Sequence, residues 1–130
     1  MGKGEIYMKT LLAPIHEAVA QGFDTMLIGN TITVKIDSDR RVEIRFYDTK
    51  THQCYDSLSL TVTSKTHGII NTQLVHFSSI FSSMTDTTHV NKLRKHIWAY
   101  NGKTEWYGKP TIQDINALID TVVNYINLWE

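Results

Sequence analysis

The stretch from His89 to Lys109 concentrates the residue types that could do chemistry. It holds two of the three tryptophans and five of the thirteen cationic side chains, with a single acid, Glu105. The stretch is therefore strongly basic, although the formal net charge of the chain is +0 at pH 7. Basic charge interleaved with flat aromatic rings is how a protein surface binds phosphates, nucleic-acid bases or an acidic partner.

The sequence predicts a binding surface at residues 92–109, which we name the aromatic-basic segment. The side chains expected to contact a partner are Lys92, Arg94, Lys95, Trp98, Tyr100, Lys103 and Tyr107. Exposed Trp and Tyr beside Lys and Arg have the composition of interface hot spots. In the alternative interpretation, the aromatic rings pack into the core and the lysines solvate an edge.

Three function classes follow from this pattern. The first is a small non-catalytic protein-binding module, such as an inhibitor, an adaptor or an immunity-type protein. The second is a nucleic-acid-binding protein that uses the same segment; because the chain has thirteen acids and thirteen bases, such a partner must bind a local patch. The third is a metal-dependent hydrolase built around Asp39 and Glu43, since Mg²⁺ needs only one or two carboxylates. A solvated sheet face is the simpler interpretation of those two acids.

Other catalytic and metal-binding patterns are missing from the sequence. The six histidines do not follow a common zinc spacing, and His52-Gln53-Cys54 is the nearest approach to a ligand pair. The seven glycines are scattered and form no phosphate-binding loop. We therefore expect no cofactor, no metal ion and no catalytic residue.

Length and cysteine content predict one domain over residues 1–130 in a reducing compartment. The lone Cys54 has no partner for an intramolecular disulfide, which favours the cytoplasm. No apolar run approaches the roughly 18 residues of a membrane-spanning helix, so a membrane is not an expected partner. Residues 1–7 are expected to form a flexible extension ahead of the fold.

A change from helical to alternating spacing of apolar residues divides the first half of the chain. A helix over about 11–21 is predicted by Leu11, Leu12, Ile15, Ala18 and Val19. Pro14 restricts its start, because proline is tolerated only in a first turn. Alternation predicts strands at 31–36, 42–47 and 58–63, a fourth at 73–77 and a short one at 26–28. Consecutive two-faced strands indicate an antiparallel meander with one buried and one solvated face.

Two interpretations compete for residues 87–107. Apolar residues at helical spacing from Val90 to Tyr100 suit a helix, whereas Asn101-Gly102 between two aromatic runs is a strong hairpin signal. We predict a short helix near 87–95 followed by a hairpin at 96–107. A two-residue turn at Asn101-Gly102 would place Tyr100 opposite Lys103.

The last element is a long amphipathic helix over about 112–129. Thr111 and Asp114 resemble a capping box, and apolar residues from Ile112 to Trp129 trace one stripe. The predicted fold class is α+β: a single two-layer domain with an N-terminal helix, an antiparallel meander sheet, a late β-hairpin and this helix packed on the sheet. Leu128 and Trp129 lie at its end, where we expect the core not to reach, so a homodimer through the C-terminal helix is also predicted.

Overall fold

The computed structural model describes residues 3–49, 54–80, 85–86, 99–100, 105–107 and 111–130, with side chains described over 11–46, 57–77, 79–80 and 111–130. The elements are α1 (Lys3–Ala20), β1 (Thr25–Ile28), β2 (Thr31–Lys35), β3 (Arg40–Thr49), β4 (Cys54–Ser64), β5 (Gly68–His76), α2 (Phe77–Ile80), β6 (Thr85–Asp86), β7 (Ala99–Tyr100), β8 (Glu105–Tyr107) and α3 (Ile112–Asn127). This is the predicted α+β fold. Within the described part of the chain, no helix is long and apolar enough to cross a membrane.

Strands β1 to β5 form one antiparallel sheet in the order in which they follow along the chain. The predicted meander is thus confirmed, with the predicted strands near 26–28 and 73–77 as its two edges; the second of these begins earlier than predicted, at Gly68. Ile28 pairs with Thr31, so two residues connect β1 to β2. The first of them, Gly29, has a φ of 60°, a left-handed conformation that costs glycine no steric penalty.

One face of this sheet, the inner face, is covered by helices. Its strand residues are fully buried aliphatic side chains, namely Ile32, Val34, Val42, Ile44, Leu58, Leu60 and Val62. They pack in one cluster with residues of α1 and α3, including Leu11, Ile15, Val19, Leu118, Val122 and Ile126. Because neighbouring residues of a strand point to opposite sides, the residues between them form the outer face.

Helix α1 begins at Lys3 and continues through Pro14. The predicted start near residue 11 was too late, and residues 3–7, expected to be an extension, belong to this helix. Proline removes one backbone hydrogen bond from a helix interior. Here Leu11 and Leu12 precede it, Ile15 follows it, and all three are buried. Packing on both sides of Pro14 therefore supports the helix across the lost bond.

Helix α3 is capped as its sequence predicts. Asp114 N–H donates to Thr111 Oγ1 at 3.1 Å, and Thr111 N–H donates to Asp114 Oδ2 at 3.1 Å, so the capping box is complete. The expected apolar stripe is only partly buried. Leu118 and Val122 have no exposed surface, whereas Ile119 is half-buried and Ile112 is exposed. The sheet is thus contacted by a narrower strip of the helix than its apolar residues suggest.

The homodimer prediction rests on Leu128 and Trp129 at the end of α3, and these two residues differ in burial. Trp129 packs against the hydrophobic core, and its ring centroid lies 6.3 Å from that of the buried Tyr125. The core therefore does reach Trp129, contrary to our expectation. The hydroxyl of Tyr125 donates to Asn71 Oδ1 at 2.8 Å, which ties the helix to strand β5. Leu128, by contrast, is 75% exposed.

The last three strands form a second, smaller sheet in the order β6-β8-β7. β7 and β8 pair antiparallel, as expected for a hairpin, but the predicted register was wrong by two residues. Tyr100 pairs with Glu105 rather than Lys103, and Ala99 pairs with Trp106. Four residues therefore lie between the paired positions Tyr100 and Glu105, where two were predicted. β8 also pairs with β6 through Thr85 and Tyr107, which fixes its register from its other edge.

Candidate functional site

The outer face of the five-stranded sheet is a regular grid of side chains. Strand register places Met26, Thr33, Glu43, Thr61 and Thr72 in one row across all five strands. The next row contains Ile28, Thr31, Arg45, Ser59 and Leu74. The row towards the β2–β3 turn contains Lys35, Arg41, Thr63 and Ile69. The grid is a flat surface with a polar centre and apolar residues at its edges.

Hydroxyl groups occupy the centre of this face. The Thr61 and Thr72 hydroxyl oxygens lie 3.3 Å apart across β4 and β5, and those of Ser59 and Thr61 lie 3.5 Å apart along β4. Each hydroxyl can both donate and accept a hydrogen bond. Threonine is also a strong strand former because its branched side chain packs well on a pleated surface. The same residues therefore support the strands and present polar groups.

Two ion pairs that share Glu43 lie along β3 on the outer face. Arg41 Nε donates to Glu43 Oε1 at 3.2 Å, and Arg45 Nη2 pairs with Glu43 Oε2 on the other side. The Glu43 side chain is only 14% exposed, whereas that of Arg45 is 61% exposed. Among the described side chains of the three rows, Lys35, Arg41 and Arg45 are cationic and Glu43 is the single acid, so these rows carry a net positive charge.

Apolar side chains border the grid at both edge strands. Met26 and Ile28 of β1 share its rows with Thr33 and Thr31, and both are exposed. On the opposite edge, Leu74 and Ile69 of β5 are also exposed. Exposed apolar side chains around a polar surface are a feature of interaction sites.

The turn carboxylates considered for metal chemistry have structural partners. Asp37 accepts hydrogen bonds from the backbone N–H groups of Arg40 and Asp39, and these bonds hold its pKa below the ordinary value. Asp39 accepts from the Ser64 hydroxyl at 2.7 Å and from Thr66, which lowers its pKa in the same direction. In the part of the chain that the structure describes, no three His, Cys, Asp or Glu side chains are grouped so that they could hold a metal ion.

The residues predicted for the aromatic-basic segment are not brought into one described site. Five of them lie outside the described residues, namely Lys92, Arg94, Lys95, Trp98 and Lys103. Tyr100 and Tyr107 lie on β7 and β8, where only the backbone is described. Their role as a contact surface stays a prediction.

Sequence reasoning considered Glu43 of this face only as a possible metal ligand with Asp39, and otherwise assigned the face to solvent. The available signal was the spacing of Arg41, Glu43 and Arg45, which are two residues apart and therefore share one strand face.

No family model matches the chain, and neither a curated protein nor a solved structure matches it. Fold and geometry alone define the class of protein: an α+β domain with helices on one face of a sheet and an accessible, net positive opposite face.

Proposed function

We propose that this protein is a small non-catalytic protein-binding module, and that the outer sheet face binds an acidic surface of its partner. The observation that carries the proposal is the contrast between the two faces of one sheet. α1 and α3 pack on the inner face, whereas the outer face presents Arg41, Arg45 and Lys35 around a single acid.

Charge and apolar contact have separate roles in this proposal. Exposed cations on a binding surface mainly steer an oppositely charged partner and fix its orientation. Met26 and Ile28 at one edge, with Leu74 and Ile69 at the other, supply apolar surface that a partner can remove from water. The partner is therefore expected to present carboxylates opposite the arginines and apolar side chains towards the edges of the sheet.

The state of the described acids supports binding rather than hydrolysis. Asp37, Asp39 and Glu43 accept hydrogen bonds from neighbouring backbone and side-chain groups of the same chain. In addition, no three His, Cys, Asp or Glu side chains among the described residues are grouped to hold a metal ion, which favours binding over metal-dependent hydrolysis.

Two finer expectations are part of this proposal. The cytoplasm is the proposed compartment, because the chain has a single cysteine. A homodimer through the end of α3 is proposed on the exposure of Leu128 alone, since Trp129 packs on the core. Sedimentation equilibrium at micromolar concentration checks the dimer, and one species of 14.9 kDa would exclude it.

The aromatic-basic segment is proposed as a second contact. If Trp98 and Tyr100 are exposed hot spots, replacing each with alanine should weaken partner binding by about 2 kcal/mol or more with little loss of fold stability. Nucleic acid is the alternative ligand of this segment, and its affinity should fall steeply with salt.

The test is a charge change on the outer face with a matched change on the opposite side of the molecule. Ser59→Glu with Thr63→Glu places each new carboxylate opposite an arginine, since Ser59 pairs with Arg45 and Thr63 with Arg41. The face loses its positive charge while the sheet gains cross-strand pairs of opposite charge. Partner affinity should fall about tenfold, equal to about 1.4 kcal/mol.

The control is Gln113→Glu with Asn116→Glu, which makes the same charge change at exposed positions of α3 away from Leu128. Quantitative recovery of partners from extracts of the native host, using wild type and both variants as bait, should show a partner retained by the control and depleted by the outer-face variant. Equal recovery by the two variants, or no specific partner with wild type, would contradict the proposal.

A further inference from the structure

A shallow pocket of about 290 Å³ lies where the outer face meets the β2–β3 and β4–β5 turns. Four cationic residues line it, three at strand ends and one in the β4–β5 turn, and the two acids of the β2–β3 turn complete its rim. The charged lining residues are Lys35, Arg40, Arg41, Lys65, Asp37 and Asp39. The pocket therefore has more positive than negative charge, in contrast to the neutral chain around it.

Both acids of the rim are already engaged by the protein. Asp37 Oδ2 accepts from Arg40 Nε at 2.9 Å, so these two charges largely neutralise each other. Asp39 receives the Ser64 hydroxyl and both the N–H and hydroxyl of Thr66. Neither carboxylate is directed at the remaining cations of the pocket.

Those remaining cations are Lys35, Lys65 and one edge of Arg41. Lys35 pairs directly with Arg41 across β2 and β3, and like charges at directly opposed positions destabilise a sheet. Among the described residues, neither Lys35 nor Lys65 forms a salt bridge, and Arg41 donates to Glu43 through Nε only. A bound anion between these three groups would relieve the repulsion.

The pocket wall is fixed before any ligand arrives. Lys65 N–H donates to the Asp39 carbonyl at 2.9 Å, which joins the β4–β5 turn to the β2–β3 turn. Ser64 Oγ accepts from the N–H groups of Thr66 and His67 while donating to Asp39. A preformed arrangement of donors reduces the entropy lost when a ligand binds.

We propose that this pocket binds a phosphate-type dianion, as free phosphate or as the phosphate group of a phosphomonoester. Two ammonium groups act as point charges, and the planar guanidinium of Arg41 offers parallel N–H donors suited to phosphate oxygens. A single phosphate satisfies this set, because its charge matches the excess of positive charge in the pocket. The proposal does not depend on protein binding by the outer face: Lys35 and Arg41 belong to both surfaces, but Lys65 of the β4–β5 turn completes the pocket.

The test is an NMR titration of the full chain, labelled with ¹⁵N, against inorganic phosphate, phosphoserine and acetate at constant ionic strength. Inorganic phosphate and phosphoserine should produce saturable shifts at the amides of Lys35, Arg41 and Lys65, with a dissociation constant in the millimolar range. Tighter binding of phosphoserine would assign the pocket to phosphomonoesters, and equal binding would assign it to free phosphate. Acetate that binds as tightly as phosphate would overturn the proposal.

Matched arginine variants separate a specific site from general attraction. Arg41 and Arg45 both pair with Glu43, but only Arg41 lines the pocket. Arg41→Gln and Lys65→Gln should each weaken phosphate binding at least about fivefold, whereas Arg45→Gln should leave it unchanged. Equal weakening by Arg41→Gln and Arg45→Gln would overturn the pocket, and well-dispersed spectra establish that each variant is folded. No protein partner takes part, so this test can fail without affecting the proposed function.

Discussion

The two faces of strand β4 differ in the burial and the contacts of their side chains over residues 58–62. Leu58, Leu60 and Val62 have no exposed surface, whereas Ser59 and Thr61 beside them line the accessible outer face. The inner residues are held by packing with α1 and α3. The outer residues Ser59 and Thr61 contact each other and Thr72 through long hydroxyl distances of 3.3–3.5 Å.

This difference shows how one sheet of a small domain can be packed on one face and accessible on the other. Close packing ties each inner side chain to many others, so a change in volume there is felt throughout the core. An outer side chain has few contacts, and its replacement leaves the fold largely intact. Paired variants at positions that differ in burial or in one contact can therefore test this contrast.

The largest effect is expected from truncation on the inner face of β4. Leu60→Ala should lower the free energy of unfolding by about 2–5 kcal/mol, through lost transfer energy and the cavity that remains. Thr61→Ala, one residue away, should change it by less than about 1 kcal/mol. Urea titrations of the two variants give both values, and similar losses would show that the outer face is packed.

A smaller effect is expected on helix α3, where burial differs between adjacent residues. A fully buried apolar stripe would make Ile119→Ala cost about 2–4 kcal/mol, as for other aliphatic core residues. Because Ile119 is only half-buried whereas Leu118 has no exposed surface, we now expect about half the loss of Leu118→Ala. Thermal unfolding of the pair checks this ratio, and equal losses would mean that α3 is rotated relative to the sheet.

The N-terminus of α3 should contribute less than the core. Thr111→Ala removes the side-chain acceptor for Asp114 N–H and should cost about 1 kcal/mol. Thr111→Ser keeps the hydroxyl and is the matched control. Chemical denaturation should place the serine variant near wild type, and an equal loss for both variants would assign the effect to the threonine methyl group.

The smallest effect concerns acid stability at the turns. The Ser64 hydroxyl donates to Asp39 and lowers the pKa of this carboxylate below its ordinary value of 3.8. A lowered pKa in the folded state stabilises the protein above the ordinary value, and this stability is lost as the pH falls through the folded value. Unfolding measured from pH 5 to pH 2 should therefore show a weaker pH dependence for Ser64→Ala than for wild type.

The control for this prediction is Ser38→Ala, which removes a hydroxyl from the same turn region without touching Asp39. Its pH dependence should match that of wild type. The lowered pKa of Asp37 contributes a pH dependence of the unfolding free energy with the same sign, so part of the pH dependence should remain in every variant. A steeper slope for Ser64→Ala would contradict the assigned cause.

Most helices and strands could be predicted from the sequence because the spacing of apolar residues is a local property of the chain. Alternation of Ile32, Val34 and Ile36 with polar residues indicates a strand wherever it lies in the fold, and Thr111 with Asp114 indicates a helix start. The start of α1 was missed because the local penalty at Pro14 is outweighed by tertiary packing of Leu11, Leu12 and Ile15. The hairpin register was missed because β6, a strand distant in sequence, pairs with β8.

The candidate sites needed the structure. Alternation shows which residues of Arg41–Arg45 share a face, but not that the helices pack on the other face. The pocket depends on Lys65 lying beside Asp39, a contact between two turns that are distant in sequence. Neither turn alone has a pattern that predicts an anion site.

Cross-saturation NMR tests the central claim, that the inner face holds the fold and the outer face binds the partner. The protein would be deuterated with protonated methyl groups on Thr, Ile, Leu and Val, and the partner that tolerates the α3 control variant would be irradiated. Saturation is predicted at the methyl groups of Thr33, Thr61 and Thr63 and not at those of Ile32, Leu60 and Val62. Saturation confined to methyl groups of α3, with none on the outer-face threonines, would contradict the account.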